Sequence, residues 1–145
     1  MRRPPPPLVI GPLPVKVIND TIDTELDPGD LVLSRGAQTH AARKHPKDFA
    51  RLVPHLGAVV TNPLYIGDDH RNGGKIELIG KPPGESSFLL VAVIVERDDR
   101  GQYHVASFYP VSDGKVQSRR RKGFLRVAQK HKAPIVGALA GKFGK

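Results

Sequence analysis

Two histidines and two cations crowd into six residues, His40-Ala41-Ala42-Arg43-Lys44-His45. On a helix, residues three and four apart share a face, so His40 stands above Arg43 and Lys44. His45 lies five positions on, about 140° round the axis, unless a break at Pro46 swings it back. Such a set suits cleavage of an RNA phosphodiester. That reaction needs a base for the 2′-hydroxyl, an acid for the departing 5′-oxygen, and positive charge on the phosphorane. Imidazole is the side chain whose ordinary pKa suits both proton transfers near neutrality. A solvated basic helix would carry the same residues, and the cluster alone does not separate the two readings.

Further candidates lie later in the chain. In Gln102 to Val111, strand alternation places Tyr103, Val105, Ser107 and Tyr109 on one face and His104, Ala106 and Phe108 on the other. The hydroxyls of Ser107 and Tyr109 could bind phosphate on an open sheet face. Such residues also serve as ordinary hydrogen-bonders at the edge of a core. Arg119, Arg120, Arg121 and Lys122 form the strongest phosphate patch. Lys75 and Glu77 share the polar face of a strand, where a glutamate can be a general base but more commonly joins a cross-strand ion pair.

Other chemistries find no support. The chain has no cysteine, which removes disulfides, thiolate metal sites and cysteine nucleophiles together. A zinc-binding helix spaces its histidines as H-E-x-x-H, whereas His40 and His45 are five apart with no carboxylate between them. His55, His70, His104 and His131 show no ligand spacing either, so neither metal nor cofactor is expected. Asn72-Gly73-Gly74 is glycine-rich but no G-x-x-x-x-G-K-[ST] follows, and there is no G-x-S-x-G elbow.

The charge balance points the same way as the cluster. Net charge is +9 and the sequence pI about 10.1, which favours polyanionic partners, nucleic acid before anionic membrane. The charge is also segregated. Asp20 to Asp30 holds five of the fourteen acidic residues, while Lys115 to Lys132 holds eight basic residues and no acidic one. No apolar run approaches the roughly 20 residues of a bilayer-spanning helix. MRRPPPP sets prolines where a secretory signal would place an apolar helix, so no Sec signal is expected.

These residues need elements to hold them. Residues 1–14 carry six prolines and read as an extended, poorly packed arm. Val15 to Ile18 suggests a short strand, Asp27-Pro28-Gly29-Asp30 a turn, and Leu31-Val32-Leu33 a strand entering the core. Thr39 is a candidate cap for a helix through Lys44, which Pro46 must end or kink. A second helix begins at Pro46, with Phe49, Leu52 and Val53 buried, and a third turn spans Leu56 to Val60. The period then changes to two at Lys75 to Ile79. Phe88 to Val95 is unbroken and apolar, as in a strand covered on both faces. Asp98-Asp99-Arg100-Gly101 closes a hairpin onto Gln102 to Val111. A strand or loop near Val116 precedes a basic tail. The expected organisation is an arm (1–14), an α+β domain (15–126) with its N-terminal helices packed on a small antiparallel sheet, and a tail (127–145).

The order of these pieces resembles the phage-associated barnase–EndoU–colicin–RelE-like nuclease superfamily. The matching stretches are VLSRGAQTHAARKHPKDF, VVTNPLYI, KIELIG, LLVAVIV and HVASFYPVS, with SRRRKGFL trailing. The resemblance implies a barnase/RelE-like fold and metal-independent RNA cleavage, often by bacterial toxins or effectors. Carried over, the helix histidines are His40 and His45, the strand hydroxyl is Ser107, and Arg43 or Lys44 supplies the cation. Lys75, Tyr109 and Arg119 to Lys122 would hold flanking nucleotides. The expected partner is RNA, tRNA or another structured RNA included, with an immunity or antitoxin protein as a second partner and no membrane association. Action in the cytoplasm is expected, with delivery as a toxin domain one route. The rival reading is a non-catalytic nucleic-acid-binding module, such as a phage virion component.

Overall fold

The computed structural model of the chain describes residues 6–69 and 73–130. A mixed seven-stranded sheet forms its centre. The strands are β1 (Leu8–Pro12), β2 (Asp30–Leu33), β3 (Tyr65–Asp68), β4 (Lys75–Gly80), β5 (Phe88–Ile94), β6 (Tyr103–Val111) and β7 (Arg126–Val127). Their spatial order is β1-β2-β6-β5-β4-β3-β7. Every pairing is antiparallel except β2 with β6, which run parallel through Leu31↔Tyr103 and Val32↔His104. The helices are α1 (Val15–Ile22), α2 (Arg35–Lys44), α3 (Pro46–Leu52), α4 (Leu56–Thr61) and α5 (Asp113–Arg121). The architecture is α+β, as the sequence indicates, with one parallel pairing that alternation could not show.

Apolar residues divide between the two faces of the sheet. On the first, Ile66, Leu78, Val91, Val93 and Val105 pack with Ile18 of α1, Leu52 of α3 and Leu56, Val59 and Val60 of α4. On the second, Ile79, Leu90 and Val111 pack with Val116 of α5 and with Leu125. A strand apolar on both sides is therefore buried on both sides. Of β5, everything from Phe88 to Val93 is buried.

Several elements differ from expectation. Val15 to Ile18 is helical, because Val15, Ile18 and Ile22 recur at three and four and bury one stripe, with Ile18 fully covered. Leu8–Pro12, expected within a loose arm, is an edge strand on β2. Its Ile10 packs on the core and Leu13 is buried behind it. A terminal proline is compatible with this edge position, since the outer N–H needs no partner. At the other end Val127 lies in β7 and Ala128 is buried, so the folded unit reaches past residue 126. Residues 131–145 of the expected tail, with His131, lie outside the described residues, as do residues 1–5, His70 and Asn72.

The helix caps explain two further differences. Ser34, not Thr39, caps α2, its hydroxyl accepting from the Ala37 N–H at 3.1 Å. The basic run lies on α5 rather than on a strand or loop. Ser112 caps that helix by accepting from the Lys115 N–H, Asp113 sits in the first turn, and Arg119, Arg120 and Arg121 in the last. That charge order follows the helix dipole.

Candidate active site

The cleft is built from α2 upward. Ala37, His40, Ala41 and Lys44 recur at three and four, so they share one face of the helix. The two alanines are small and form a floor that lets β6 come close. His45 stands just outside the helix with φ −140°. Its N–H donates to the Ala41 carbonyl at 2.9 Å, and its own carbonyl accepts from the Phe49 N–H at 2.8 Å. Pro46 occupies the first turn of α3 and disfavours helical geometry at the residue before it. The angular separation of a continuous helix therefore does not apply, and His45 lines the same cleft as His40.

The opposite wall is β6. Strand β2 covers only Tyr103 and His104, so the next residues of β6 have no strand on that side among the described residues. An uncovered strand edge presents backbone N–H and C=O groups along with its side chains. Between α2 and this edge lies a cleft of about 250 Å³, lined by His40, Lys44 and His45 on one wall and by Ser107, Phe108 and Tyr109 on the other. Phe108 anchors this wall to α3, its ring centroid 6.3 Å from that of Phe49.

A β-bulge sets which side chains β6 turns outward. Val105 stands opposite Val93 and Ser107 opposite Ala92, leaving Ala106 as an extra residue. Each bulge residue reverses the alternation that follows it. Tyr103 and Val105 thus face the helical core, whereas Ser107 and Tyr109 face the second side of the sheet, with Leu90 and Ala92. This corrects the expectation that Tyr103, Val105, Ser107 and Tyr109 share one face. Standing at an open edge, Ser107 and Tyr109 still reach the cleft.

His40, Lys44, His45, Ser107 and Tyr109 are exposed, and none has a side-chain hydrogen bond or ion pair among the described residues. Among the described residues no acidic side chain lines the cleft, and Lys44 gives it positive charge. Arg43 lies apart, in a neighbouring groove with Arg35, Gly36 and Thr39. His40 borders both grooves. The geometry therefore selects Lys44, not Arg43, as the cation in contact with the histidine cleft.

The other singled-out cations lie on the second face. Lys75 starts β4, opposite Ile94. Glu77 is buried, and Arg119 Nη1 donates to its Oε1 at 2.9 Å. Arg120 stacks 4.9 Å from the centre of the Tyr65 ring and donates to Gln117 Oε1 at 3.1 Å. Arg121 and Lys122 are exposed. One pair escaped the sequence reading. Asp98 Oδ2 lies 2.7 Å from His104 Nε2, and the Asp98 side chain also accepts the N–H groups of Arg100 and Gln102. The bond from Gln102, then that from His104, holds its carboxyl below the usual carboxylate range.

Over residues 9–118 the chain matches the family described as phage-Barnase-EndoU-ColicinE5/D-RelE like nuclease 3. It belongs to that family. The matched span runs from β1 into α5 and contains both walls of the cleft. This family is one of nucleases, so the chain is placed among enzymes that act on nucleic acid. Its start at Val9 includes the edge strand within the nuclease unit, and its end at Ser118 falls just before the arginine run. No curated protein and no solved structure matches the chain.

Proposed function

We propose that this nuclease is a metal-independent endoribonuclease that cleaves by transesterification. One imidazole of the pair His40 and His45 takes the proton of the 2′-hydroxyl, whose oxygen attacks the adjacent phosphorus. The other gives a proton to the departing 5′-oxygen. The products are a 2′,3′-cyclic phosphate and a 5′-hydroxyl. Lys44 balances charge on the phosphorane, and Ser107 donates to a non-bridging oxygen. The observation that carries this reading is one cleft lined by His40, Lys44, His45 and Ser107, all exposed and without side-chain partners among the described residues. Structured RNA such as tRNA is the proposed substrate. A toxin or effector role in the cytoplasm, with an immunity or antitoxin protein covering the basic cleft, follows from the same reading.

The test is incubation of the protein with total RNA in EDTA, followed by end-mapping. RNA cut to 2′,3′-cyclic phosphate ends, with DNA of the same sequence intact, is the expected result, because only RNA carries the internal 2′-hydroxyl nucleophile. Intact RNA overturns the proposal. Equal, salt-sensitive binding of RNA and DNA without turnover would identify a nucleic-acid-binding module instead.

A further inference from the structure

The two groups of candidate residues lie on different sides of the sheet, and the bulge at Ala106 joins them. Ser107 lines the histidine cleft, yet its position in the ladder belongs to the second face. There it continues a cross-strand row. Glu77 stands opposite Ala92, and Ala92 opposite Ser107. Strands lie about 4.8 Å apart, so roughly 10 Å separates the ends of this row. Its middle member, Ala92, is buried in the apolar cluster of that face, so the two polar members stand at the ends of the row. Tyr109, 40% exposed, follows on the same face and offers a ring for stacking.

At the far end of the row stands Arg119. Its guanidinium gives Nη1 to the buried Glu77 carboxylate at 2.9 Å, while 22% of the side chain remains exposed. Guanidinium has five N–H donors, and this bond uses one. A carboxylate buried as Glu77 is needs a cation, so the pair fixes where Arg119 sits.

We infer that a nucleic-acid strand leaving the cleft crosses the open edge of β6 at Ser107 and places its next phosphates on the second face, where Arg119 binds one of them and Glu77 acts as the positioning residue for Arg119. The inference deepens the ribonuclease proposal by adding a binding subsite for the RNA backbone, and it rests on that proposal for the strand's starting point. Glu77 touches no substrate. It acts by holding the guanidinium at the far end of the row.

Binding of a fluorescent single-stranded RNA 12-mer in EDTA, across a range of salt, tests this in a His45→Ala background, where cleavage cannot blur the measurement. Arg119→Ala should lower the slope of log K against log salt by about 0.7, the signature of one lost phosphate contact on a single strand. At low salt it should weaken binding by roughly tenfold. Glu77→Gln carries the sharper expectation. Removing a negative charge should strengthen binding of a polyanion on charge grounds alone, whereas loss of positioning should weaken it severalfold. Arg119→Lys, which keeps the charge and the ion pair but loses the planar fork, should fall between wild type and Arg119→Ala. It also serves if Glu77→Gln does not fold. An unchanged salt slope in Arg119→Ala overturns the inference, as does tighter binding by Glu77→Gln. Cleavage by the wild-type protein with either of those results removes the inference alone, and the predicted binding effects without any cleavage remove the ribonuclease proposal alone.

Discussion

His40 and His45 line one cleft, although a continuous helix would set them about 140° apart. The relation depends on the interruption before Pro46, which frees His45 from the axis of α2 while keeping both of its backbone bonds.

Replacing that proline tests the relation directly. In Pro46→Ala the helix can run on, and His45 turns away from His40. Cleavage of RNA should fall roughly 100-fold in kcat, as for other misplacements of a reacting group. RNA affinity should change little. Crude activity equal to wild type would show that the interruption does not matter.

His40→Ala and His45→Ala test the two imidazoles separately. Each substitution should lower kcat by about 100-fold to 10,000-fold, the usual contribution of a positioned acid or base. Binding of uncleavable RNA should fall less than twofold to threefold, measured by fluorescence anisotropy, on the same reasoning. Equal losses in binding and turnover would make the histidines ligands of phosphate rather than proton carriers.

Asp98 supplies a pH-dependent term in stability. Its carboxyl is held low by the Gln102 N–H and by His104, so the folded value lies below the unfolded one. A group of this kind stabilises the fold above its unfolded pKa of about 4 and loses that contribution as pH falls through the folded value. Asp98→Asn should therefore lower Tm near pH 7, and the gap from wild type should narrow and then close as the pH falls below the unfolded value. A gap that persists in acid would contradict this account.

Gly67 meets the segment after α5 at close range. A Cβ there would collide with the Phe124 carbonyl oxygen. Gly67→Ala should cost about 2 kcal/mol in urea unfolding, within the range for overpacking. An unchanged midpoint would mean that the segment simply moves aside.

Much of the frame was legible because burial on both faces leaves a plain mark. The unbroken apolar run after Ser87 is β5, the alternating Lys75–Ile79 is most of β4, and Pro46 divides two helices where it should. Elements with weaker marks were misread. Valines and isoleucines in α1 favour strands locally, but the spacing that buries Ile18 prevails. A single buried residue, Val116, anchors α5, so no apolar stripe announces it. In the site, the types of His40, Lys44, His45 and Ser107 were readable, and their meeting was not. It requires the parallel pairing of β2 with β6, which ends at His104, leaves the edge beside Ser107 open, and depends on a partner far away in sequence.

That parallel pairing governs the order in which the molecule can assemble. The meander from β3 to β6 joins neighbours along the chain, whereas Leu31 must find Tyr103 across three helices and three intervening strands. Loop-closure entropy makes such long-range contacts slow to form. The wall bearing α2 should thus dock last, and a molecule seated between it and β6 would act as a latch, raising the folding stability in proportion to its binding.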